Sequence, residues 1–158
     1  MQSNDALKQL EAKGFSLPNK PKYDIPKLPR DITDLDDEAL MELFVMLTSW
    51  SNHIGGQLAI AAVDEREADR SVSILESQTL LSNWKGGSGD RVTIVKAQIS
   101  ADPNVIKMKE DLDAKHAYRK LVETLAQNVD KDCALVSREL TRRTSDTSGF
   151  RSRARRVI

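Results

Sequence analysis

Residues 36–84 form one uninterrupted segment with helical periodicity, and this segment limits the possible folds more than any other feature. It contains no proline, and polar Glu65 interrupts its apolar stripe only once. The stripe recurs in steps of three and four at Leu40, Leu43, Leu47, Trp50, Ile54, Leu58, Ala61, Ala68, Val72 and Leu75. A continuous helix here would be roughly 70 Å long. Because propensity alone does not stabilise such a helix, it must pack along a second element of similar length.

The second half of the chain supplies that element. Three glycines within four residues predict a turn at residues 85–90. Helical periodicity follows, is broken at residues 100–103 where Asp102 can cap a restarted helix, and then continues to Leu140. His116 and Arg119 are the polar interruptions of this second stripe.

Residues 36–140 are therefore predicted to form an all-α, coiled-coil-like antiparallel helical hairpin. Mirror counting about the glycines places Trp50 near Leu125 and Gly55–Gly56 near Arg119. A two-helix hairpin has little interior, and residues 40–47 are apolar around most of a helix, so we expect self-association into a ring or bundle. The expected oligomer interface is Leu40, Leu43, Phe44, Leu47 and Trp50.

Residues 1–35 are predicted to form a short helix and an extended arm. The helix would run over Asn4–Lys13 and stop at Gly14. Four prolines then alternate with basic residues, namely Pro18, Pro21, Pro26 and Pro29 with Lys20, Lys22, Lys27 and Arg30. This composition is typical of a linker, or of an arm that lies on a neighbouring subunit or a ligand. Acidic residues at 34–38 then mark entry into the long helix.

Chemistry that would indicate an enzyme is scarce. His53 and His116 lie on different arms of the hairpin, and Cys133 continues the apolar stripe as a small hydrophobe. A single cysteine excludes an internal disulfide framework, and no zinc-type spacing is present. We expect no enzymatic activity, no cofactor and no metal. The polar start of the chain and the lack of long apolar runs predict a cytoplasmic protein without a membrane partner.

Charge is strongly segregated along the chain. Residues 36–84 hold nine acids and two arginines, whereas residues 138–158 hold seven arginines and two acids. Residues 141–158 are predicted to be a flexible arginine-rich tail that either solubilises the protein or binds phosphates. The predicted nucleic-acid-binding residues are Arg91, Lys96, Lys107, Lys109, Arg138, Arg142, Arg143, Arg151, Arg153, Arg155 and Arg156.

Three motifs resemble the UvsY family of phage recombination mediators, which load a RecA-like recombinase onto single-stranded DNA coated by single-strand-binding protein. They are residues 48–52 (Thr-Ser-Trp-Ser-Asn), the turn at residues 86–89, and residues 100–107 (Ser-Ala-Asp-Pro-Asn-Val-Ile-Lys), within a similarity that covers roughly residues 40–140. The resemblance implies helical hairpins that assemble into rings. The family is basic along its hairpin and residues 36–84 are acidic, so its DNA-binding positions on that arm do not transfer.

Two principal hypotheses follow. The first is an oligomeric mediator, encoded by a phage and acting in the host cytoplasm, that binds single-stranded DNA and a recombinase or single-strand-binding protein. The second is a non-enzymatic structural or assembly protein, such as a virion component, and a coiled-coil adaptor is a third option.

Overall fold

The computed structural model describes residues 3–84 and 92–154, and for Val92 and residues 146–154 it describes the backbone alone. The described part of the chain contains helices and no strand. Its elements are α1 (Ser3–Ala12), a 3₁₀ helix (Ile32–Asp34), α2 (Asp37–Asn83), α3 (Val92–Ser100) and α4 (Pro103–Ala154). The predicted turn at residues 85–90 lies outside the described residues. None of the described helices combines the length and the apolar character needed to cross a lipid bilayer.

The chain divides into two compact units, and both long helices contribute to each. The α3 unit consists of Met1–Ser16 and Gln57–Val122, and the arm unit consists of Leu17–Gly56 and Glu123–Ile158. Within each unit, α2 and α4 run antiparallel, because residues with higher numbers on α2 bond to residues with lower numbers on α4. They join Asp37 to Arg143 and Ser51 to Asp130 in the arm unit, and Glu65 to Arg119 and Glu76 to Lys109 in the α3 unit. The predicted all-α antiparallel hairpin is confirmed.

Burial along both long helices repeats every seven residues, which is the period of coiled-coil packing. The buried series comprises Leu40, Leu47, Ile54, Ala61 and Ala68 on α2, and Val122, Val129 and Val136 on α4. Leu40, Leu47 and Val136 have no solvent-accessible surface. The coiled-coil-like character of the hairpin therefore agrees with the prediction.

The register predicted by mirror counting was wrong. Counting placed Trp50 near Leu125, but the hydroxyl of the adjacent Ser51 donates a hydrogen bond of 2.6 Å to Asp130. The difference exceeds one helical turn. Counting treated each arm as an unbroken helix centred on the glycines, whereas residues 101–102 separate α3 from α4.

Three of the five predicted oligomer-interface residues are buried within the chain itself. Leu40 and Leu47 are fully shielded, Trp50 is 8% exposed, and Leu43 and Phe44 are half-buried. These three side chains are shielded by other residues of the same chain, and the Trp50 indole N–H donates to the Tyr23 carbonyl of the N-terminal arm. This part of the interface prediction is therefore corrected.

Local chemistry sets the predicted helix ends. Gly14 has a φ of +82°, and its N–H donates to the Glu11 carbonyl while the N–H of Phe15 donates to the Leu10 carbonyl. This is a Schellman motif, in which glycine adopts the left-handed conformation at little cost. It confirms the predicted stop after the first helix.

The predicted break between α3 and α4 is also confirmed. The Asp102 carboxylate accepts a hydrogen bond of 2.8 Å from the Asn104 N–H and thereby caps α4. A buried cluster packs at this junction, and it consists of Val95, Ile99 and Val105 with partly buried Leu75 and Leu80.

Candidate nucleic-acid interface

Helix α4 continues to Ala154, where the sequence analysis expected a flexible tail from Thr141. The ion pairs of Arg142 and Arg143 hold the helix past Leu140. Among the predicted DNA-binding residues, Arg151 and Arg153 belong to this helix, and Arg155 and Arg156 lie outside the described residues.

Glu139 is the centre of the charge network in the arm unit. It is 7% exposed, and its carboxylate accepts hydrogen bonds from Arg142 at 2.7 and 2.8 Å and from Arg143 at 2.8 Å. The bonds from Arg142 and then Arg143 lower the pKa of Glu139 from 4.5 to about 2. An ionised buried carboxylate needs such partners. Glu139 therefore organises two of the predicted DNA-binding arginines.

Arg143 also connects α4 to the start of α2. It donates to Asp37 at 2.7 Å and to the Thr33 carbonyl at 3.2 Å. The hydrogen bond to Asp37, with that to Glu139, raises the pKa of Arg143. With 19% of its side chain exposed, Arg143 is mainly engaged in bonds within the arm unit, and its contact with DNA stays a prediction. Arg142 keeps 58% of its side chain exposed despite its bond to Glu139.

The remaining predicted cations divide between the two units. Arg138 is exposed in the arm unit, and Lys96 and Lys107 are exposed in the α3 unit. Lys109 pairs with Glu76 at 2.7 Å. Arg91 lies outside the described residues.

Helix α4 places two exposed arginines in one angular sector. With 3.6 residues per turn, positions 138 and 142 fall within roughly 40° of one another. A helical basic end presents cations at fixed spacing, which a flexible tail does not.

A second basic surface, the N-terminal arm at residues 17–30, was not among the predicted site residues. The arm lies on α2 of its own unit. The Trp50 indole N–H donates to the Tyr23 carbonyl at 3.1 Å, and Nδ1 of His53 lies 3.0 Å from the Pro18 carbonyl oxygen. The Nζ atom of Lys20 lies over the Trp50 ring, 5.9 Å from its centroid. Interleaved prolines and lysines were the available sequence signal.

Glu65 forms the polar centre of the α3 unit. It accepts a hydrogen bond from Arg119 and pairs with Nδ1 of His116 at 2.5 Å. The bonds from His116 and Arg119 lower its pKa, against the opposing effect of burial. The cluster lines a cleft of about 620 Å³ together with acidic Asp69 and Asp113. A carboxylate held ionised by two donors is a fixed acceptor rather than a proton donor.

The other candidate chemical groups have structural surroundings. Burial raises the pKa of Cys133, which keeps the thiol protonated and weakens it as a nucleophile. Within the part of the chain that the structure describes, no three His, Cys, Asp or Glu residues are grouped so that they could hold a metal ion.

Comparison of the chain with family models, with curated proteins and with solved structures gives no significant match.

Proposed function

We propose that this protein binds single-stranded DNA without sequence preference and loads a RecA-like recombinase onto it, as phage recombination mediators do. The observation that carries the proposal is the basic end of α4, where exposed Arg138 and Arg142 share one sector and Arg151 and Arg153 follow on the same helix. The confirmed helical hairpin also agrees with what the resemblance implies. Phosphate contacts of this kind give affinity through counterion release and do not depend on sequence.

The division of charge supports separate roles for the two long helices. Cations at the end of α4 contact the DNA backbone, while α2 carries an excess of acids for a basic partner such as a recombinase. With roughly five phosphates neutralised by the α4 end on a single strand, this end contributes about −3 to −4 to the slope of log affinity against log salt.

The experiment is a titration of a fluorescent single-stranded oligonucleotide at several salt concentrations. A version ending at Ser145 removes Arg151, Arg153, Arg155 and Arg156 but retains the network of Glu139. We expect this version to bind more weakly and to lose most of the salt slope that the α4 end contributes. Replacing the same four arginines by lysine is the matched control, and it should retain binding. Absence of binding by the full chain at low salt would contradict the proposal.

Mediator activity needs its own assay. A RecA-like recombinase is added to single-stranded DNA coated by single-strand-binding protein, and filament formation is followed with and without this protein. We expect faster filament formation with the full chain and no acceleration with the version ending at Ser145. If the protein binds DNA but does not accelerate filament formation, it is a DNA-binding protein and not a recombination mediator.

Self-association would strengthen weak DNA contacts through avidity. In the arm unit, Met41 and Val45 lie one turn apart on α2 and are 51% and 55% exposed. These residues replace the buried ones as the proposed oligomer contact. Light scattering should give an oligomer for the full chain and a smaller species for M41E/V45E. A monodisperse monomer of the full chain would exclude this contact.

A structural or assembly role, as in a virion component or adaptor, is the second candidate. It is favoured by exposed apolar side chains in the α3 unit, including Leu81 at 76% and Leu121 at 71% exposed. A full chain that oligomerises but does not bind DNA would support this role over the mediator.

A further inference from the structure

The arm at residues 17–30 carries an excess of exposed positive charge. Its four cations, Lys20, Lys22, Lys27 and Arg30, are all exposed, and its single acid is Asp24. Tyr23 lies among them with 37% of its surface exposed. Cations interleaved with an exposed aromatic ring are the features that single-stranded nucleic acids require, because phosphates pair with the cations and bases stack on the ring.

The arm is held in place before any ligand binds. Trp50 and His53 fix it through the carbonyl oxygens of Tyr23 and Pro18, and half-buried Leu17 packs 3.6 Å from the position that a Cβ on Gly56 would take. A segment that is already ordered avoids much of the entropy loss that binding imposes on a flexible tail. At about 3.1 Å per residue, residues 20–30 span at most roughly 30 Å, which is enough for several nucleotides.

Three of the five acids at residues 31–38 are used in local structure. Asp31 accepts hydrogen bonds from the N–H and hydroxyl of Thr33, and Asp36 caps α2 by accepting from the Ala39 N–H at 2.7 Å. Asp37 pairs with Arg143. Three of the neighbouring carboxylates therefore have partners other than the arm cations.

We infer that the arm is a second contact surface for single-stranded nucleic acid, in which Lys20, Lys22, Lys27 and Arg30 bind phosphates and Tyr23 stacks on a base. The inference rests on the proposed function and adds a site to it. The contact between Trp50 and the arm gives this site its own spectroscopic signal.

The experiment uses Trp84→Phe, which leaves Trp50 as the only tryptophan of the two in the chain. Oligothymidylate is titrated while Trp50 emission and the binding of a labelled oligonucleotide are both measured. We expect Trp50 emission to change on binding. The K20Q/K22Q/K27Q/R30Q variant should lose this change and reduce the salt slope by about 3. A variant with K20R, K22R, K27R and R30K retains the charge and should retain both signals.

Tyr23 is tested separately in the same background. Tyr23→Ala should weaken binding about ten-fold, whereas Tyr23→Phe, which keeps a ring, should not. The backbone carbonyl that Trp50 binds is present in both variants.

The version ending at Ser145 distinguishes the two proposals. If it binds weakly but still changes Trp50 emission at low salt, the arm is a site independent of the α4 end. If the glutamine variant of the arm binds with the parent's affinity, salt slope and Trp50 response, the arm inference is overturned and the proposed function stands. If the full chain does not bind oligothymidylate at low salt, both are overturned.

Discussion

The carboxylate of Glu65 on α2 accepts a hydrogen bond from the guanidinium of Arg119 on α4. Only 19% of the Glu65 side chain and 23% of the Arg119 side chain are exposed. His116 contacts the same carboxylate at 2.5 Å. The two charges lie among the apolar residues that α2 and α4 pack against each other. They can pair in only one register of the two helices, because a slip by one turn would separate the charges while they stay largely buried.

Removing one partner of the pair between Glu65 and Arg119 should destabilise the α3 unit more than replacing both partners by apolar residues. Glu65→Leu leaves the Arg119 cation half-buried without its carboxylate, whereas E65L/R119L removes both charges and fills the seam with apolar groups. We expect the double variant to be more stable to urea than Glu65→Leu alone.

Glu76 and Lys109 are the matched control because their pair is more exposed, at 38% and 44%. Their double-mutant cycle should give a coupling of roughly 1 kcal/mol or less. Equal coupling energies for the two pairs would contradict a special role of Glu65 in setting the register.

The Glu139 network predicts acid sensitivity of the arm unit. Its hydrogen bonds with Arg142 and Arg143 lower the pKa of Glu139 from 4.5 to about 2. A depressed pKa contributes stability that is fully present above pH 4.5 and is lost as the pH falls toward 2. Urea unfolding of the parent and of Glu139→Gln should therefore show a stability difference that shrinks over this window. A difference that is constant from pH 5 to pH 2.5 would rule out this linkage.

Features with a local cause were predictable from the sequence. The seven-residue spacing from Leu40 to Leu47 to Ile54 predicts a buried stripe, and the left-handed conformation at Gly14 and the cap at Asp102 follow from the chemistry of single residues. Such sequence features are enough to predict the helix ends and the pairing of the two long helices.

Features that depend on distant parts of the chain were not predictable. Arg143 on α4 pairs with Asp37 at the start of α2, and periodicity gives no measure of the distance between such positions. Trp50 could be buried equally well by a second subunit or by the chain's own arm, because an indole needs only apolar contact and one acceptor. Register depends on the turn and on the break near Asp102, neither of which has a periodic signal.

The burial of two apolar residues of α2, six positions apart, predicts a large loss of stability for one and a small change for the other. Leu47→Ala removes a side chain with no exposed surface and should lower the free energy of unfolding by about 2–5 kcal/mol. Met41→Ala removes a side chain that is 51% exposed and should change it by about 0.5 kcal/mol or less in the monomer. Urea denaturation at low protein concentration measures both. A similar loss of unfolding free energy in the two variants would mean that Met41 is buried in the monomer, which would contradict the structure.

The attachment of the arm to Trp50 predicts a change in protease sensitivity. Trp50→Phe keeps the aromatic bulk but removes the indole N–H that donates to the Tyr23 carbonyl. Loss of about 1 kcal/mol from one hydrogen bond should raise the population with a detached arm about five-fold. Limited trypsin digestion detects this population because Lys22 and Lys27 lie on the arm and neither precedes a proline.

Trp84→Phe is the control for this experiment, since Trp84 follows α2 in the α3 unit and has no bond to the arm among those described. We expect faster cleavage after these two arm lysines in Trp50→Phe and the parental rate in Trp84→Phe, with fragments identified by mass spectrometry. Because a detached arm also loses its pre-ordered cations, Trp50→Phe should weaken oligothymidylate binding in parallel. Unchanged cleavage of Trp50→Phe would mean that the arm is held by its proline and leucine contacts rather than by the indole.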